Sequence, residues 1–123
     1  METTTIAGTT VSRVGLGTWV LGGTNLGAVS EADAIATCIG AIERGINLID
    51  TAPIYGYGRA EEVVGKAMRA HGRREDFYIA TKAGLEWSDA GVFANSSLSR
   101  LREELDSLCA MTTSLMDGTT DAE

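Results

Sequence analysis

The segment Gly45-Ile46-Asn47-Leu48-Ile49-Asp50-Thr51-Ala52-Pro53-Ile54-Tyr55-Gly56 decides how this chain folds. Ile46–Asp50 reads as a strand, and the loop after it carries the only proline, so strand and loop are cleanly separated. Upstream, Ser30 caps a helix with Asp33 as its capping-box acid, and Ile35, Cys38, Ile39 and Ile42 recur at helical spacing. Gly45 ends that helix. Downstream, a second helix covers about Arg59–Ala70, with Ala60, Val63, Val64 and Ala67 on one face, ending at His71-Gly72. Phe77–Lys82 is the next strand. A third helix runs from about Ser97 to Leu108, with Leu98, Leu101, Leu105 and Leu108 as the stripe expected to be buried. At the N-terminus, Thr3–Ile6 and Thr9–Val14 flank Ala7-Gly8 as a short hairpin, and Val14–Trp19 is a further extended piece. After the hairpin, strand and helix alternate. That order implies parallel strands joined by right-handed crossovers, an α/β fold.

Side chains alternate along a strand, so Leu48 and Asp50 share one face, as do Tyr78, Ala80 and Lys82. Asp50 and Lys82 therefore stand at the carboxyl ends of neighbouring parallel strands, the end where α/β barrels gather catalytic groups. A lysine there is costly to bury unless paired, and Asp50 is its obvious partner. Tyr55 follows Asp50 closely enough to fold back over the strand mouth. An ammonium group beside a phenol favours phenolate, so the three can hand a proton to a developing alkoxide. A structural Asp–Lys pair with a tyrosine resting on it has the same spacing, and the two readings stand level on the residues alone.

Gly15-Leu16-Gly17-Thr18-Trp19, Gly45 to Ala52, Ile54-Tyr55-Gly56, Glu61-Glu62-Val63-Val64-Gly65 and Ile79-Ala80-Thr81-Lys82 together resemble the aldo-keto reductases, over roughly residues 5–108. The resemblance implies part of a (β/α)8 barrel, with the hairpin plugging its bottom and about three βα units following. It implies NADP(H)-dependent reduction of small aldehydes or ketones, or oxidation of sugar-type alcohols, with no metal; NAD(H) is the alternative cofactor. It makes Asp50, Tyr55 and Lys82 catalytic, with Tyr55 as the general acid. Thr18, Trp19 and Asp50 are then expected at the cofactor, and Trp19, Tyr55 and Trp87 at the substrate pocket. The family's catalytic histidine has no counterpart, because His71 is the only histidine and ends the second helix. The expected division is 1–108 as the N-terminal part of the barrel and 109–123 as a divergent tail, disordered or frameshifted. Met111-Thr112-Thr113-Ser114, displaced by two nucleotides, permits the Asp-Tyr-Ile that the family has there. A chain truncated in this way is expected to be inactive by itself. The alternative is a regulatory, partner-binding member or a pseudogene-like fragment.

Composition agrees with one globular domain: 123 residues, 44% hydrophobic and 22% charged, with 17 acidic against 10 basic side chains. The net charge of −7 argues against nucleic acid or anionic membrane as partner. No run nears the ~20 apolar residues of a membrane span. Met1–Ile6 lacks the features of a secretory signal, and two cysteines make no disulfide framework, so a cytoplasmic protein is expected. Gly15-Leu16-Gly17-Thr18-Trp19-Val20 lacks the third glycine of a dinucleotide-binding loop. Gly22, Gly23, Asn25 and Gly27 read as a flexible loop, Cys38 as core, Arg73–Asp76 as a solvated turn, and His71 as a surface residue suited to a helix C-terminus.

Overall fold

The computed structural model describes residues 1–23 and 27–113. A hairpin of β1 (Thr3–Ile6) and β2 (Thr9–Ser12) opens the chain, turning through Ala7 and Gly8 at positive φ. A parallel sheet follows, ordered β3 (Gly15–Gly17), β4 (Leu48–Asp50) and β5 (Tyr78–Ala80). Crossovers run through α1 (Glu31–Glu43) and α2 (Arg59–His71). A second hairpin, β6 (Leu85–Ser88) and β7 (Gly91–Ala94), precedes α3 (Leu98–Thr113).

The helices begin and end where their chemistry directs. Ser30 Oγ accepts from the Asp33 amide and donates to Asp33 Oδ2, closing the N-terminus of α1. Gly72 at φ 80° ends α2, its amide donating to the Met68 carbonyl.

Register places the site. Leu16, Ile49 and Ile79 form one row across the sheet and pack toward the helices, against a core that includes Cys38, Val63, Val64, Met68 and Phe77. Burial pushes the Cys38 thiol up to about 11, as suits a core residue. The adjacent row, Gly17, Asp50 and Ala80, turns the other way. Asn47 ties the N-terminal hairpin to the foot of β4: its Oδ1 accepts from the Ser12 amide at 2.7 Å and its amide donates to Ser12 Oγ.

Five expectations need correction. The β5 ladder covers Tyr78–Ala80 rather than Phe77–Lys82, so Lys82 lies beyond the strand. The hairpin at Leu85–Ala94 is an element that the alternation reading passed over. The leucine stripe of α3 is only half covered: Leu101 and Leu108 are partly buried but Leu98 and Leu105 are 64% and 58% exposed, because periodicity marks an apolar face but not its cover. His71 is no simple surface residue, since its Nε2 lies 2.8 Å from Asp76 Oδ2 and its ring meets Phe77 edge-on. The helix of α3 also continues past Leu108 to Thr113. The rest of the tail, and Asn25, lie outside the described residues.

Candidate active site

Asp50 is the last residue of β4, and its row neighbours Gly17 and Ala80 are small, which leaves its carboxylate uncrowded across the sheet. Lys82, two residues beyond Ala80, keeps the parity of that row and reaches back to it. Its Nζ donates to both Asp50 oxygens, at 2.8 and 3.0 Å, and to the Thr51 carbonyl at 3.1 Å. The pair is about half exposed, so the fork sits at an open strand mouth and not in the core. The hydrogen bond to Asp50 is the largest influence raising the Lys82 ammonium above its usual range, with a further contribution from Tyr55. Lys82 therefore stays charged at neutral pH.

Tyr55 arrives over this pair. Lys82 Nζ stands 4.9 Å from the centroid of its half-buried ring. The loop that carries it is wound through tight turns: Tyr55 donates its amide to Ala52, Gly58 donates to Pro53, and Ala60 donates to the Tyr55 carbonyl. Gly56, Tyr57 and Gly58 all have positive φ, at 64°, 56° and 95°. For Tyr57, which has a side chain, that conformation costs on the order of 1–2 kcal/mol. Gly56 also lies directly on the backbone of Gly22, where a Cβ on Gly56 would come within 2.6 Å of the Gly22 Cα. The loops after β3 and β4 thus lock together through two residues without side chains.

Thr18 is buried, and both of its donors are spent on one acceptor: amide and hydroxyl donate to the Asp50 carbonyl at 3.0 and 3.1 Å. Trp19, next in the chain, is 51% exposed beside that anchor. A Cβ on Gly17 would meet nothing within 4 Å, so open space faces the Asp50 row. Trp87 comes from β6 and lies farther along the rim. Its ring packs at 5.7 Å against Tyr57, with the Arg100 guanidinium 5.5 Å away.

The structure therefore brings Asp50, Tyr55 and Lys82 together, sets Thr18 and Trp19 beside them, and seats Trp87 against Tyr57. Reading the sequence missed the Gly22–Gly56 contact, the part of Tyr57, and the buried Glu104, which accepts from the Gly84 amide at 2.9 Å and from Arg100. Only the Arg100–Glu104 spacing of four residues could have signalled that last cluster.

A profile of the Aldo/keto reductase family matches residues 13–115. The chain is 45% identical over 108 residues to the aldo-keto reductase YhdN of Bacillus subtilis, covering 86% of this chain and 33% of that protein. It is 38% identical to the NADH-specific methylglyoxal reductase of Escherichia coli, covering 78% and 33%. Among solved structures, an aldo/keto reductase of Klebsiella pneumoniae in complex with NADP and acetate superposes with a TM-score of 0.62 at 26% identity, over 85% of this chain and 32% of that one. The chain thus spans about a third of the length of the relatives it matches, and its N-terminal hairpin and parallel βα units correspond to part of their barrel. Sequence, fold and profile agree that this chain belongs to the aldo/keto reductase family.

Proposed function

We propose that the chain carries the proton-donating part of an NADP(H)-dependent oxidoreductase that reduces small aldehydes or ketones, or oxidises sugar-type alcohols in reverse. The observation that carries this is the geometry at the mouth: an ammonium forked onto a carboxylate at 2.8 and 3.0 Å and standing 4.9 Å from a tyrosine ring. Tyr55 donates its phenolic proton to the substrate oxygen as negative charge develops there. Lys82 holds a positive charge beside the phenolate left behind, and Asp50 fixes that ammonium in place. Trp19 and Asp50 border the cofactor, and Thr18 acts by tethering the Trp19 turn to the end of β4. The open space before Gly17, where a Cβ would meet nothing within 4 Å, supports that placement beside Asp50. A nicotinamide cofactor held there would supply the hydride. Trp19 and Tyr55 border the substrate, with Trp87 at the outer rim.

The test is a chimera in which residues 1–108 replace the matching third of the Bacillus relative. NADPH oxidation that depends on an added aldehyde is expected, and Tyr55→Phe should lower kcat by about 100-fold or more. A Tyr55→Phe chimera with most of its activity would overturn the assignment. Running NADH in parallel decides the cofactor. The 123-residue chain alone is expected to show no turnover.

A further inference from the structure

We propose that Trp87 is a positioning residue for Tyr55, acting through Tyr57, with which it packs. The inference rests on the reading of Tyr55 as the proton donor. Three consecutive residues after Tyr55 have left-handed backbone, and two of them are glycine, which adopts it freely. Tyr57 is the exception, and the residue is 56% exposed, so core burial does not hold it. The ring contact described for it is Trp87, at 5.7 Å with the planes tilted by 47°.

Trp87 is itself well anchored. It pairs with Val92 across the β6–β7 hairpin, and the Arg100 guanidinium lies 5.5 Å from its ring. Arg100 bridges to the buried Glu104 at 3.2 Å, and Glu104 accepts from the Gly84 amide at the root of the same hairpin. Hairpin root, Glu104, Arg100 and Trp87 therefore form a closed frame. The loop carrying Tyr55 is held from one side by the Gly22–Gly56 backbone contact and from the other by this frame through Tyr57. With Tyr57 and Arg100 against its ring, Trp87 is committed to the loop.

The experiment uses the full 123-residue chain and NMR cross-peaks between the Tyr55 ring and the Lys82 side-chain methylenes. In Trp87→Ala these cross-peaks should be lost while those within the α1–α2 core, such as Ile49 to Val63, persist; Trp87→Phe should restore them. A folded Trp87→Ala chain that keeps the Tyr55–Lys82 cross-peaks overturns the proposal, since a merely structural tryptophan would leave them unchanged. Tyr57→Leu, which leaves the hairpin frame intact, carries the same test with the same two outcomes if Trp87→Ala does not fold. Failure of the proton-donor reading is seen separately, as a Tyr55→Phe chimera that still turns over.

Discussion

Asp50 and Lys82 lie 32 residues apart, yet their partnership follows from strand parity and the cost of an unpaired charge. The pH dependence of the pair follows from the raised Lys82 value. A cation with a higher pKa in the folded state contributes stability that is complete below its ordinary value of 10.5 and is lost as pH rises through the folded value. The difference in unfolding stability between the wild type and Lys82→Met should therefore be constant from about pH 7 to about pH 9 and shrink above roughly pH 10.5. Urea titrations across that range test the sign. The glycines make a second prediction at this scale. Gly56→Ala meets both a φ of 64° and the Gly22 backbone, whereas Gly58→Ala meets a φ of 95° in open space. Both should destabilise, by about 1–3 kcal/mol, with Gly56→Ala the worse. The reverse order would show that the loop contact is slack. Asp50, Tyr55 and Lys82 were legible in the sequence because each has a distinctive chemistry at a fixed offset from a strand end. Tyr57 was not, because its partner comes from strand β6, 30 residues further along the chain.

At the scale of elements, α2 and α3 make a contrast. The apolar face of α2 is buried as its periodicity predicts, and Met68, 1% exposed, extends it toward the C-terminal end. Met68→Ala should cost about 2–5 kcal/mol, measured as a shift in the urea midpoint. On the equally regular stripe of α3, Leu105 is 58% exposed, so Leu105→Glu should change stability by less than about 0.5 kcal/mol in the same assay. The Leu85–Ala94 hairpin had a visible signal too, with Asp89-Ala90-Gly91 between Leu85-Glu86-Trp87 and Val92-Phe93-Ala94, and Gly91 at φ 118°. Its register, and thus the place of Trp87, needed the fold.

For the whole molecule, the parallel sheet has three strands, so β3 and β5 each present an unpaired edge among the described residues. The exposed leucines of α3 add apolar surface. Exposed edges and apolar patches promote association. The 123-residue chain should therefore sediment as larger species as its concentration rises, and Leu105→Glu should reduce that tendency. A chain that remains monomeric at every concentration would show that its edges are protected.

The sequence by itself determined the α/β class, the positions of three helices and the strand-end trio. These follow from short-range rules: helical and strand periodicity, capping and alternation act over a few residues. Tertiary structure alone decided which apolar faces are covered, where the two glycine backbones touch, and how Trp87 meets Tyr57. Those are contacts between segments distant in the chain, and their energies depend on shape in three dimensions, which no local pattern encodes.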